Sequence, residues 1–194
     1  MSTLPSVRSL VRNAVVEYLS SFIVKGNQAN APVPYLSNVY GFPAKVTNEG
    51  EFYDIAGVGA GASIWLYFPN EVDKRYKVTA DFKTTGQTGK AVEFELRLLC
   101  LLRSGEQTAQ GVGEAAEAFL DGLLNVIRAD PNAGTGEDGN GTGVIWSWGL
   151  GSFPNGGPDL HTEQTFPRPI RSGVTDVQSI VEVTVVSLID PQIS

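Results

Sequence analysis

Histidine, cysteine and methionine each occur only once in the 194 residues, so the usual metal ligands and catalytic bases are scarce. The single Cys100 excludes an intramolecular disulfide and argues against a thiolate metal cluster. Because Cys100 falls on the apolar side of an alternating segment, we expect a buried, inert thiol. The lone His161 lies in a predicted loop, with no helical His pair or nucleophile motif to join it. These absences predict a protein that is not an enzyme and holds no metal or cofactor.

Basic runs and long apolar runs are also missing. The chain has 14 Lys and Arg against 21 Asp and Glu, a net charge of −7, whereas nucleic-acid binding needs a basic patch that neutralises phosphates. No apolar segment approaches the roughly 20 residues of a membrane-spanning helix, and the N-terminus has no uninterrupted apolar stretch typical of a secretory signal. With 42% hydrophobic residues, the composition instead predicts a single globular domain over residues 1–194.

Two segments carry apolar residues at helical spacing. The first is Ser6–Ile23, with Pro5 suited to its start and Gly26 to its end. The second is Gly113–Arg128, whose acidic residues come early and whose arginine comes last, as the helix dipole favours. Both segments therefore predict amphipathic helices.

The strongest strand signal is strict alternation of apolar and polar residues in Lys77–Thr84 and Ala91–Leu102. The Gly86–Gly89 turn region lies between them, which predicts a long β-hairpin. Pairing Asp81 with Arg97, and the corresponding residues along the strands, would bring opposite charges together, so we predict that register.

A pairing of Lys83 with Glu95 belongs to the same predicted register.

A long β-branched strand is predicted at Val174–Ile189. Shorter strands are predicted at Val33–Tyr35, Ala44–Thr47, Glu51–Ala56, Ser63–Phe68 and Val144–Trp148. Strand runs interrupted by two helices indicate the α+β class, here a mostly antiparallel sheet with a long hairpin, packed by two amphipathic helices. Glycine- and proline-rich segments near 130–143 and 149–173 are predicted loop insertions.

Several apolar side chains are candidates for contacts between subunits. Leu99 and Leu101 make the second face of their strand apolar, so that end must be covered by a helix or by a neighbouring subunit. Trp146 and Trp148 share a strand face, which is typical of packing or interface anchors. The full set of candidate contact residues is Leu99, Leu101, Trp146, Trp148, Phe153 and Phe166.

Three glycine-containing motifs resemble known ligand sites. Gly57–Ala62 matches the relaxed dinucleotide fingerprint G-x-G-x-x-A, but the residues after it are strand-like and no helix is predicted there. Gly86–Ala91 lacks the first glycine and the Ser or Thr of a phosphate loop. Asp130–Gly134 lacks a third calcium ligand, so a helix-terminating loop is predicted.

The order of these elements resembles phage tail-terminator proteins. The resemblance is carried by the N-terminal helix, the hairpin strands Tyr76–Phe82 and Val92–Leu98, the helix ending in Leu124–Asp130, and the closing strand Val177–Leu188. It covers most of the chain, while Gly134–Gly143 and Gly149–Pro169 depart from the family pattern and look like insertions.

The resemblance implies a structural virion protein, assembled in the host cytoplasm, that forms a hexameric ring at the head–tail junction. Such a ring caps the tail tube, joins it to the head–tail connector protein, and lets DNA pass through its lumen without specific binding. The implied partners are therefore other copies of this chain, the tail-tube protein and the connector protein, with no cofactor and no membrane.

Three other interpretations stay open at this point. The nearest is a tail-tube subunit or a tail-completion or connector subunit. A nucleotide-dependent enzyme would use the glycine segment Gly57–Gly61. An accessory binding domain would use Trp146 and Trp148 to bind a carbohydrate or a peptide.

Overall fold

The computed structural model describes residues 7–23, 30–42, 61–69, 74–78, 89–104, 108–130, 132–134, 145, 147–148, 160–164, 168–171 and 174–189. Within these ranges there are two helices and eight strands. In chain order they are α1 (Val7–Ser20), β1 (Leu36–Tyr40), β2 (Gly61–Tyr67), β3 (Lys74–Val78), β4 (Gly89–Ser104), α2 (Ala109–Ala129), β5 (Ser147–Trp148), β6 (Leu160–Gln164), β7 (Arg168–Arg171) and β8 (Val174–Ile189).

Two strands of 16 residues, β4 and β8, form the middle of one sheet. They pair antiparallel from Lys90 opposite Ile189 to Ser104 opposite Thr175 without a shift of register. The other edge of β4 carries β2 and β3, and the other edge of β8 carries β5, β6 and β7, all antiparallel. Because β1 runs parallel to β2, the sheet is mixed. The predicted α+β class with two helices is confirmed.

The helices bury their apolar stripes against one face of this sheet. The stripe of α1 is Val11, Val15 and Leu19, and that of α2 includes Phe119, Leu123 and Ile127. They meet alternate residues of the two long strands, all of them buried: Phe94, Leu96, Leu98, Cys100 and Leu102 of β4, and Val177, Val181, Val183 and Val185 of β8. Cys100 is 1% exposed, and burial raises the pKa of its thiol, in agreement with the inert cysteine predicted from the alternation.

Helix α2 begins earlier than its apolar periodicity indicated. The prediction placed the start at Gly113, whereas the structure places it at Ala109. Thr108 has an extended backbone, and its Oγ1 accepts a hydrogen bond from the Gly111 amide at 3.1 Å. This N-cap satisfies one of the amides that lack a partner in the first turn, so it extends the helix beyond its apolar stripe.

The register predicted for the hairpin was wrong. In the structure β3 pairs with β4 so that Lys77 lies opposite Lys90. The cross-strand neighbours of Arg97 are Tyr67 on β2 and Glu182 on β8, whereas the prediction placed Asp81 opposite it. Charge pairing did not decide the register, because a cross-strand charge pair contributes only about 0.2–1 kcal/mol to stability. Each large apolar side chain buried by β2 and β8 contributes about 1.5–3 kcal/mol. Residues 79–88, including Asp81 and Lys83, lie outside the described residues.

The shorter strands were predicted with mixed success. Strand β8 has the predicted bounds, and β2 overlaps the predicted Ser63–Phe68. Val33–Tyr35 is a turn rather than a strand: Tyr35 has a positive φ of 64°, and β1 follows it. Its carbonyl accepts the Ala62 amide at 2.8 Å, which directs the chain into the sheet beside β2. Of Val144–Trp148, only the last two residues are a described strand, and the strands predicted at residues 44–47 and 51–56 lie outside the described residues.

A tyrosine joins the C-terminal parts of the two helices. The Tyr18 hydroxyl donates a hydrogen bond to the Val126 carbonyl at 2.9 Å, and its ring packs edge-on against Phe22. Carbonyls in the last turn of a helix have no partner within the helix, so this bond satisfies a group at the end of α2. Burial, and then the nearby Asp130, raises the pKa of Tyr18 to about 12.

We therefore expect Tyr18→Phe to lower the free energy of unfolding by about 1 kcal/mol at neutral pH, because only the hydrogen bond is removed. The pKa of Tyr18 lies above the unfolded value of 10.0, so the folded state favours the neutral phenol. Its stabilising effect is complete below pH 10 and is lost as the pH rises toward 12. Urea titrations of both proteins from pH 7 to pH 12 should show the difference between them shrinking, and a difference that grows with pH would contradict this assignment.

Candidate functional site

The face of the sheet turned away from the helices, hereafter the far face, is where β2, β4 and β8 display their remaining side chains. Side chains alternate between the two faces of a strand, so the core residues identify the opposite set. In the part of the chain that the structure describes, both helices lie on the other side. The far face comprises Ser63, Trp65, Tyr67, Glu95, Arg97, Leu99, Leu101, Arg103, Asp176, Gln178, Ile180, Glu182 and Thr184.

An apolar band crosses the middle of the far face. Trp65, Leu99 and Ile180 lie directly opposite one another on β2, β4 and β8. Trp65 is 3% exposed and stacks on Tyr40, with ring centroids 5.7 Å apart. Leu99 and Ile180 are half-buried, so this band keeps some apolar surface available to a partner.

An ion pair borders this band on one side. Arg97 Nε lies 2.5 Å from Glu182 Oε1, and both side chains are more than a third exposed. The pKa of Arg97 is raised, chiefly by its side-chain hydrogen bond with Tyr67 and also by Glu182, while desolvation opposes them. Exposure limits what such a pair contributes to stability, to about 0.2–1 kcal/mol, so its main role is to define a polar border.

A second pair of opposite charges lies at the other end of the far face, and it is buried. Arg103 on β4 is directly opposite Asp176 on β8, with exposures of 5% and 6%. Arg168 of β7 lies opposite Asp176 on the next strand. Buried charges are retained where opposite charges and hydrogen bonds compensate for lost hydration, so we expect Arg103 and Asp176 to hold β4 and β8 in register.

The structure separates the predicted contact residues. Leu101 is 2% exposed within the single chain, so its burial needs no neighbouring subunit, and neither described helix provides the cover because both pack on the other face. Leu99 is half-buried on the apolar band. Trp148 lies in β5, where its backbone pairs with Val185. Three further candidates are outside the described residues: Trp146, Phe153 and Phe166.

The segment predicted as a loop insertion at 149–173 contains strands. His161 belongs to β6, opposite Glu182, so its placement in a loop was wrong. Strand β7 follows, with Pro169 opposite Thr175. The edge of the long strand β8 offers backbone partners that outweigh the weak local signal, and a proline is tolerated on such an edge strand.

The glycine motifs are described only in part: residues 57–60 and 86–88 lie outside the described residues, and Gly89, predicted in the turn region, belongs to strand β4. Ala62, the last residue of the fingerprint Gly57–Ala62, lies in β2 opposite Leu102, where dinucleotide binding would need the start of a helix. The carboxylate of Asp130 accepts hydrogen bonds from the amides of Asn132 and Gly134, at 3.0 and 2.9 Å, which confirms a helix-terminating loop. The described residues contain no group of three or more side chains placed to hold a metal ion, and neither described helix is long and apolar enough to cross a membrane.

One surface was missed by the sequence analysis. At the start of α1, Arg8 and Arg12 lie over the rings of Phe42, Phe68 and Phe94, and these five residues are hereafter the arginine–aromatic surface. The guanidinium carbon of Arg12 is 4.1 Å from the Phe42 ring centroid and 5.2 Å from that of Phe68. That of Arg8 is 5.5 Å from Phe68 and 5.9 Å from Phe94.

The signal for this surface in the sequence was slight. Two arginines four residues apart share a helix face, but the aromatic residues come from three distant segments. Only the sheet brings these segments together.

Comparison with models of known protein families found no match for this chain, and a search of curated proteins found none either.

Proposed function

We propose that this chain is a structural virion protein of the tail-terminator type, which forms a ring that caps the phage tail tube and joins it to the head–tail connector. We also infer that the complete sheet is mostly antiparallel, with β3 and β4 as the two strands of a long hairpin. In this proposal the chain acts by shape and self-association, and DNA passes through the lumen without specific contacts.

The observation that carries the proposal is the arrangement of the two long strands. β4 and β8 lie side by side in unbroken register, and both helices pack on the same face. This agrees with the element order on which the resemblance rests: helix, paired strands, helix and closing strand. The half-buried apolar band of Leu99 and Ile180 supports the proposal further, because assembling subunits need apolar surface to bury.

The assembly state of the purified chain tests this proposal. Native mass spectrometry and negative-stain electron microscopy should show a discrete ring with a central channel, hexameric by the resemblance. Filaments of indefinite length would instead indicate a tail-tube subunit, because tube subunits stack into long polymers. A chain that remains monomeric at every concentration would contradict the proposal.

A second measurement concerns the glycine segment. Binding of a labelled dinucleotide that disappears in Gly59→Val would favour the enzyme interpretation over the structural one. We expect no binding to either protein, because Ala62 continues directly into a buried strand.

A further inference from the structure

The arginine–aromatic surface combines the features of a protein contact site. Phe42 is 65% exposed, the highest value among the exposed large hydrophobic side chains of the described residues. Arginine and aromatic residues are enriched where interfaces concentrate their binding energy. An arginine held against an aromatic ring keeps its donors directed outward while its stem and one face are already packed.

Arg8 and Arg12 also repel each other electrostatically. They stand four residues apart on one helix face, where like charges repel each other. Desolvation, and then the neighbouring Arg8, lowers the pKa of Arg12. Its Nε is buried without a hydrogen-bond acceptor among the described residues. An acidic partner would offset the positive charge that Arg8 and Arg12 bring to one helix face.

Close packing holds this surface in place. Gly41 lies so near α1 that a Cβ there would come within 3.1 Å of Arg12 Cδ and 3.4 Å of Val16 Cγ2. The absence of a side chain at this position lets the end of β1 approach the helix, which places Phe42 under the guanidinium of Arg12. A preorganised contact loses less conformational entropy on binding.

A matching acidic row lies on helix α2 of the same chain. Glu114, Glu117 and Asp121 are all exposed and follow one another at helical spacing on its outer side. Gln110 donates a hydrogen bond to Glu114 at 2.8 Å, which holds the first carboxylate in position. The outer face of α2 therefore offers three carboxylates within two turns.

The acidic row has no ion pair within the part of the chain that the structure describes. Arg8 packs against Phe94 of β4, whereas Glu114, Glu117 and Asp121 stand on the outer side of another helix. Among the described residues, none of these three carboxylates is paired with a lysine or an arginine. We therefore assign their partner to a second copy of the chain.

We propose that the arginine–aromatic surface of one copy binds the acidic row of α2 in a second copy. The inference rests on the proposed function, because it names the subunit contact of the ring. Two different surfaces of the same chain meet in such a contact, so the interface is heterologous and can close into a ring. A nucleic-acid partner is disfavoured, because the net charge of −7 repels a polyanion and two arginines neutralise few phosphates.

Charge exchange between the two surfaces tests the contact. Arg12→Glu and Glu117→Lys should each weaken association of the chain by about tenfold or more, because like charges then face each other across the interface. The double variant restores opposite charges and should recover most of the association. Sedimentation velocity over a concentration series measures the dissociation constants. Added salt should weaken the association of the unaltered chain, because it screens the charges across the interface.

Matched controls separate this effect from changes in net charge or folding. Glu17→Lys makes the same charge change as Glu117→Lys at an exposed position of α1, and we expect it to leave association unchanged. Phe42→Ala should also weaken association by about tenfold, while its unfolding midpoint stays near that of the unaltered chain because the ring is mostly exposed. Glu117 faces solvent, so its variant should fold even if Arg12→Glu does not.

The outcomes distinguish the contact from the proposed function. If the unaltered chain forms rings and Glu117→Lys has no effect, the contact is wrong while the ring stands. The contact is equally wrong if the single variants dissociate and the double variant does not recover. Filaments that respond to the charge exchange would support the contact and contradict the terminator function, and an unaltered chain that stays monomeric would contradict both.

Discussion

Replacing Asp176 with alanine is expected to lower the free energy of unfolding by about 3–5 kcal/mol. Asp176 is 6% exposed and lies directly opposite Arg103, which is 5% exposed. The substitution leaves the buried Arg103 and removes the opposite charge at its cross-strand position. Water cannot replace that carboxylate freely, because Asp176 and Arg103 are both buried.

Glu182→Ala provides the matched control for this prediction. Glu182 is also a carboxylate on β8 facing an arginine on β4, but both members of its pair are more than a third exposed. We expect it to cost about 0.2–1 kcal/mol, because solvent screens the pair and hydrates the remaining Arg97. Equilibrium unfolding in guanidinium chloride measures both variants, and equal losses of stability would show that burial does not set the strength of the Asp176 pair.

Replacing Gly122 with alanine is expected to destabilise the protein by about 1–3 kcal/mol, although alanine is the better helix former. A Cβ at this position would lie 2.5 Å from the Pro32 carbonyl oxygen and 2.7 Å from Pro34 Cδ. Both contacts are far shorter than van der Waals distances, and the first involves backbone. The segment 32–34 would have to move away from α2, which would disturb the turn at Tyr35 that leads into β1.

Gly113→Ala on the same helix should have the opposite effect. Nothing lies within 4 Å of the position that a Cβ at Gly113 would occupy. Alanine there should stabilise the protein by about 0.5–1 kcal/mol through helix propensity alone. Thermal and denaturant unfolding of the two variants gives the sign of each change in the free energy of unfolding. A stabilising Gly122→Ala would mean that segment 32–34 does not pack against the helix as described.

Much of the secondary structure could be predicted because its signal is local. The apolar stripe of α1 and the β-branched run of β8 are set by residues within a few positions of one another. The burial of Cys100 likewise followed from alternation along β4. The N-cap at Thr108 was not predicted, since the apolar stripe begins one turn later and a lone threonine is a weak signal.

The candidate site could be predicted only in part. Leu99 and Leu101 have the same local pattern, yet the first is half-buried and the second is buried in the chain. What differs is the cover that distant segments provide, which alternation cannot reveal. The arginine–aromatic surface depends on Phe42, Phe68 and Phe94 converging on one helix, and their separations in sequence carry no sign of it.

The sequence by itself determined the α+β class, the two amphipathic helices, the long strand β8 and the face of β4 that is buried. These features follow from periodicity, because a side chain's direction repeats every 3.6 residues in a helix and every two in a strand. Only the tertiary structure decided the partners: Glu182 rather than Asp81 beside Arg97, Asp176 beside Arg103, and segment 32–34 against Gly122. Strand pairing depends on the total apolar surface that the whole sheet buries. A charge pair between two strands that are consecutive in sequence contributes too little free energy to outweigh that burial.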